Sequence, residues 1–143
     1  MNNADIVIVE DNPHDLEMIL DALRESETNR EAHILRDGAE AARYFFGNGD
    51  QDAGIHHPFL LILLDLKLPK INGVEVLKLL KSDERTKQIP VVVFTSSNEA
   101  RDKADSYRLG ANSYVVKPLD ADDFADHVKQ IVDYWTRLNI NAC

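Results

Sequence analysis

Phe59-Leu60-Leu61-Ile62-Leu63-Leu64-Asp65 contains the longest apolar run in the chain, and the run stops on a carboxylate. Apolar residues in unbroken succession, rather than in alternation, describe a strand covered on both faces, as in a parallel sheet. Working outward, Ile6-Val7-Ile8-Val9, Val91-Val92-Val93-Phe94 and Tyr114-Val115-Val116 read the same way. Ala32-His33-Ile34-Leu35 is a weaker strand and belongs nearer a sheet edge. Helix-period segments lie between these runs. Leu16, Ile19, Leu20 and Leu23 form one apolar stripe, with Pro13 at a helix start, where its missing N–H costs little. Ala39, Ala42, Phe45 and Phe46 mark a second helix, and Val74, Leu77 and Leu80 a third that opens at Asn72-Gly73. A fourth covers 98–109 and is stopped by Gly110, and a fifth carries Phe124, Val128, Ile131, Val132, Trp135 and Leu138.

The order is therefore (βα)5, an α/β chain whose helical crossovers imply a parallel sheet with helices on both faces. In such sheets the functional crevice lies beyond the carboxyl ends of the strands. Chemistry is expected after Val9, Leu64, Phe94 and Val116.

Composition narrows the classes. At 143 residues, 44% hydrophobic and 29% charged, the chain is expected to fold as one globular unit over 1–143. A formal net charge of −9 with no basic cluster argues against a nucleic-acid surface. No apolar run approaches the roughly 20 residues that span a bilayer. The start Met1-Asn2-Asn3-Ala4-Asp5 lacks a basic leader, so a cytoplasmic home is expected, with no membrane partner. Cys143 is the only cysteine, which precludes an intrachain disulfide. The segment 47–58 (GNGDQDAGIHHP) is a long polar connection whose adjacent His56 and His57 read as an exposed turn rather than a metal pair.

The residues that follow the strands carry the functional reading. Glu10 and Asp11 follow the first, Asp65 the third, Thr95 (then Ser96 and Ser97) the fourth, and Lys117-Pro118 the fifth. Each has a bland explanation: Asp11-Asn12-Pro13 suits a turn and helix cap, and Lys117 suits a solvated surface. Turn preferences alone do not bring carboxylates, a hydroxyl and an ammonium to one sheet edge. Carboxylates packed together repel unless a cation lies between them. An all-oxygen set suits Mg²⁺ rather than zinc. Such a site suits phosphoryl transfer onto Asp65, with Lys117 and the Thr95 hydroxyl meeting the remaining phosphoryl oxygens.

Taken together, Ile8-Val9-Glu10-Asp11-Asn12-Pro13, Leu63-Leu64-Asp65-Leu66-Lys67-Leu68-Pro69-Lys70-Ile71-Asn72-Gly73, Val92-Val93-Phe94-Thr95-Ser96-Ser97 and Tyr114-Val115-Val116-Lys117-Pro118 strongly resemble the receiver domains of two-component response regulators. The resemblance spans essentially the whole chain. It implies a flavodoxin-like doubly wound sheet of five parallel strands in the order 2-1-3-4-5. It further implies Mg²⁺ held by Glu10, Asp11, Asp65 and the backbone carbonyl of Lys67, and phosphorylation of Asp65 by a sensor histidine kinase. Thr95 and Tyr114 become the switch pair, and the Lys117–Pro118 bond is expected to be cis. Glu10 departs from the aspartate that many members carry. The long polar segment and Tyr134-Trp135 also resemble stand-alone regulators paired with phytochrome-type kinases. The fifth helix extends beyond a minimal receiver, and Trp135 and Leu138 are expected to help form a homodimer across helix 4, strand 5 and helix 5.

Other classes fit less well. A phosphatase with an aspartyl nucleophile needs a second acid at the position held by Lys67, so no enzymatic turnover is expected beyond the chain's own phosphorylation and dephosphorylation. A nucleotide or flavin binder would need a phosphate loop that is lacking after the first strand. A degenerate receiver would not keep the full acidic set.

Overall fold

The computed structural model describes residues 5–26, 28, 30–47 and 59–141. The expectations placed on 48–58, including His56 and His57, and on Cys143 lie outside those residues. Five parallel strands form one sheet: β1 (Asp5–Val9), β2 (Ala32–Leu35), β3 (Phe59–Leu64), β4 (Val91–Thr95) and β5 (Ser113–Val116). Their order is β2-β1-β3-β4-β5, as the resemblance implies, with the weak strand β2 at an edge. The crossovers are α1 (Pro13–Glu25), α2 (Gly38–Phe46), α3 (Gly73–Ser82) and α4 (Ala100–Arg108), and α5 (Ala121–Asp133) follows β5.

The central strands divide their side chains between two cores, which is why they read as continuous apolar runs. Val7, Val9, Ile62, Leu64, Val91 and Val93 pack with Ala41, Phe45, Val76, Leu77 and Leu80 of α2 and α3. Ile6, Ile8, Leu61, Leu63, Val92 and Phe94 pack with Leu16, Ile19, Phe124, Val128 and Val132 of α1 and α5. The buried stripe of α2 is Gly38, Ala41 and Phe45; of the expected Ala39, Ala42, Phe45 and Phe46, Phe45 is buried and the other three are only partly so.

Short polar residues start the helices at the carboxyl edge of the sheet. Asn12 Oδ1 accepts from Asp15 N–H at 2.9 Å, and Asn72 Oδ1 from Glu75 N–H at 3.0 Å. Gly73 lets α3 begin against the end of β3: a Cβ there would lie 2.2 Å from the Asp65 carbonyl oxygen. The regular part of the last helix stops at Asp133, earlier than its apolar pattern implies. It widens into a π-type turn over Tyr134–Leu138, closed by Asn139 N–H donating to the Tyr134 carbonyl at 2.7 Å. Thr136 Oγ1 donates to the Val132 carbonyl at 2.6 Å, and hydroxyl back-bonding of this kind disturbs a helix ladder. Trp135 consequently packs against the α1–α5 core, while Leu138 is 70% exposed.

Candidate functional site

Strand register sets the site. Val9 pairs with Leu64, so Glu10 and Asp65 emerge side by side, and Asp65 N–H donates to the Val9 carbonyl at 3.0 Å. On the far side of β3, Thr95 pairs with Val116, and Lys117 N–H donates to the Thr95 carbonyl at 2.8 Å. Glu10, Asp11 and Asp65 each turn an oxygen inward, and these atoms all lie within 4.8 Å of one another. Glu10 and Asp65 are buried, whereas Asp11 is exposed. The donor set is all oxygen and fits a hard divalent cation.

The Lys117 ammonium lies among carboxylates. It donates to Glu10 Oε1 at 2.9 Å, Asp65 Oδ2 at 3.0 Å and Asp15 Oδ2 at 2.8 Å. Burial alone would lower its pKa, but the bond to Asp15 and the charges of Asp65 and Glu10 hold it above the ordinary lysine value. One ammonium does not balance this set. Burial, followed by the charge of Asp65, pushes Glu10 from 4.5 up to about 7 despite its bond to Lys117. A buried carboxylate raised this far marks a site with room for further positive charge.

Asp15 was missed from the sequence. Its signal is its place in the first turn of α1, three residues after the cap, where a side chain leans back over the helix start. Lys67 presents an exposed side chain, and its N–H donates to Asp65 Oδ1 at 3.2 Å. Thr95 is fully buried, and its Oγ1 accepts from Ser97 N–H at 3.4 Å. Tyr114 is partly buried and its hydroxyl donates to the Ser97 carbonyl at 3.0 Å. Burial raises the pKa of that hydroxyl.

One expectation is corrected. Lys117–Pro118 is trans, since no described peptide bond is cis. The three carboxylates and the backbone bond to Thr95 direct the lysine without the cis turn. Trp135 and Leu138 are not part of this constellation. They lie in the π-type turn beyond α5, Trp135 against the α1–α5 core and Leu138 exposed. Another group, Asp5, Glu31 and His33, gathers at the start of the strands, where His33 Nε2 and Asp5 Oδ2 are 2.9 Å apart.

The fold and its strand-end constellation define a doubly wound α/β protein with a buried acidic crevice and one captive lysine. Residues 6–129 match the response regulator receiver domain model, and the chain belongs to that family: it is a receiver of phosphorylation-based two-component signalling. The chain is 37% identical over 134 residues to the probable methanogenesis regulatory protein FilR2 of Methanothrix harundinacea, covering 94% of this chain and 84% of that protein. It is 37% identical over 130 residues to response regulator Rcp1 of Synechocystis, covering 91% and 87% respectively. A solved Mn²⁺-bound form of Rcp1 superposes with a TM-score of 0.88 at 34% identity, covering 98% of this chain and 99% of that one. The phosphorylated cyanobacterial phytochrome response regulator RcpA gives a TM-score of 0.89 at 38% identity over 99% of both chains. Among the described residues, no helix is long and apolar enough to cross a membrane.

Proposed function

We propose that Asp65 accepts a phosphoryl group from a sensor histidine kinase in a Mg²⁺-dependent reaction, and that Thr95 and Tyr114 pass the event to a protein-binding face or to onward phosphotransfer. The observation that carries this reading is the position of Asp65, within 4.8 Å of Glu10 and Asp11 and 3.0 Å from the Lys117 ammonium. The carboxylate oxygen forms a P–O bond as the donor's P–N bond breaks and the freed imidazole takes a proton. Glu10, Asp11, Asp65 and the Lys67 carbonyl would hold Mg²⁺, which supplies charge neutralisation when bound. Lys117 then shares its protons with a phosphoryl oxygen, and Thr95 meets another. The Tyr114 ring follows into the space that Thr95 leaves. Catalysis is limited to the chain's own phosphorylation and dephosphorylation.

The test is incubation with phosphoramidate and Mg²⁺, read by intact mass. Wild type gains one phosphoryl group, and Asp65→Asn gains none. A wild type without the adduct, or a variant that still forms it, refutes the reading.

The kinase is proposed to be phytochrome-like, supported by the likeness to RcpA. A homodimer across α4, β5 and α5 is supported by exposed apolar groups, Tyr107 at 54% on α4 and Leu138 at 70% beyond α5. Trp135→Ala removes core packing as well as surface, so Leu138→Asp is the cleaner probe. Light scattering should give twice the monomer mass for the wild type and the monomer mass for Leu138→Asp. A wild type that stays monomeric with and without beryllofluoride overturns the dimer.

A further inference from the structure

Helix α4 is held differently from the rest. Asn12, Asp37, Asn72 and Asp120 cap α1, α2, α3 and α5 through side-chain hydrogen bonds, whereas Glu99 makes none for α4. Within α4 only Ser106 is fully buried, and its hydroxyl has no hydrogen-bond partner among the described residues. Such a helix gains little from apolar burial, the usual source of helix stability in a fold. Its amino end is tied down through the Ser97 side chain, whose Oγ donates to Asp102 Oδ2 at 2.5 Å. Hydrogen bonds to a charged oxygen are the short, strong class.

Ser97 is also where both switch residues are attached. Its N–H meets Thr95 Oγ1, and its carbonyl accepts the Tyr114 hydroxyl. Its side-chain oxygen accepts from Glu99 N–H at 3.3 Å, leaving the single hydroxyl proton for Asp102. Asp102 in turn lines the same open depression as Asp11 and Lys67, beside the acceptor site.

We infer that the Ser97–Asp102 hydrogen bond is a latch that holds α4 in the unphosphorylated arrangement, and that a phosphoryl group on Asp65 releases it. The inference rests on Asp65 being the acceptor. A phosphoryl group brings about −1.5 to −2 charges and strong acceptor oxygens to the crevice. Like charge repels Asp102, and Thr95, drawn to the phosphoryl group, takes the attached Ser97 with it. The latch opens and α4, with its exposed Tyr107, is free to move. Asp102 is thus a positioning residue that acts through Ser97 on Thr95 and Tyr114.

Hydrogen exchange by mass spectrometry on the full chain, with Mg²⁺ and with or without beryllofluoride as the phosphoryl mimic, tests this. In wild type, beryllofluoride should speed exchange across 100–109 by about tenfold, the loss expected for one hydrogen bond to a charged group. Asp102→Ala and Ser97→Ala should each show that faster exchange without the mimic. The double variant should be no faster than either, and beryllofluoride should add less than twofold to any of them. Unchanged protection of β1 and β3 amides in the same experiment reports a folded variant. Exchange in the single variants within twofold of wild type, or additive effects in the double variant, overturns the latch. If phosphoramidate adds no phosphoryl group to wild type, the acceptor reading fails and the release step fails with it. An adduct with unmoved α4 sinks the latch alone.

Discussion

Glu10 gives the most demanding prediction. Its side chain is 2% exposed, so solvent screening does not dilute what burial and Asp65 do to it. A rise from 4.5 to about 7 means that the folded chain binds a proton there which the unfolded chain has already lost. The folded state therefore binds more protons between those values, and stability falls as pH climbs through them. At ~1.4 kcal/mol per pH unit, the rise corresponds to about 3 kcal/mol, present below pH 4.5 and lost by about pH 7. Urea unfolding in EDTA at pH 5 and pH 8, on wild type and Glu10→Gln, isolates the effect, because the neutral amide cannot titrate. Wild type should lose about 2.5 kcal/mol more than the variant between the two pH values, the remainder being already lost at pH 5. If Glu10 helps hold Mg²⁺ as proposed, the ion should restore wild type at pH 8 and should stabilise Glu10→Gln less. Equal pH dependence in both proteins refutes the assignment of that proton to Glu10.

Three further outcomes follow from the packing around this residue. Lys117→Met leaves Glu10, Asp15 and Asp65 without their buried cation and should cost about 3–5 kcal/mol in urea unfolding at pH 8 without Mg²⁺, and less at pH 5. Gly73→Ala places a Cβ 2.2 Å from the Asp65 carbonyl oxygen, where only backbone can give way. A loss of about 1–3 kcal/mol is expected, together with slower phosphoryl uptake by intact mass. Phe124→Ala removes a ring that meets Phe94 edge-on at 5.1 Å and should lower stability by about 3–5 kcal/mol while leaving Mg²⁺ affinity within twofold.

The sheet was legible because β1, β3 and β4 are covered on both faces and have no polar alternation to confuse the reading. The strand-end rule then found Glu10, Asp11, Asp65, Thr95 and Lys117 without knowledge of the three-dimensional structure. What escaped depended on side-chain direction rather than residue type. Asp15 looks like an ordinary first-turn acid, and only the lean of its side chain over the helix start brings it to Lys117. Asp102 is hidden in the same way, as one of two aspartates on a helix of mixed charge. The α2 stripe slipped because Gly38 and Ala41 are small enough to bury where they face the sheet, a choice that hydropathy does not reward. The end of α5 was misjudged because the apolar period continues through Trp135 and Leu138, while a single Thr136 back-bond alters the local ladder.

The contact between Asp15 and Lys117 joins residues separated by 102 positions, linking the first turn of α1 to the end of β5. Lys117 has three protons to donate, and all three are already engaged. A fourth oxygen can be served only by loosening one of the present bonds, and Asp15 is the most exposed of the three partners, at 22%. Occupancy at Asp65 and the footing of α1 therefore draw on the same ammonium. Thermodynamic reciprocity follows: a partner that grips α1 and shifts Asp15 alters the site's appetite for phosphate, and a phosphorylated site alters the surface that partner grips.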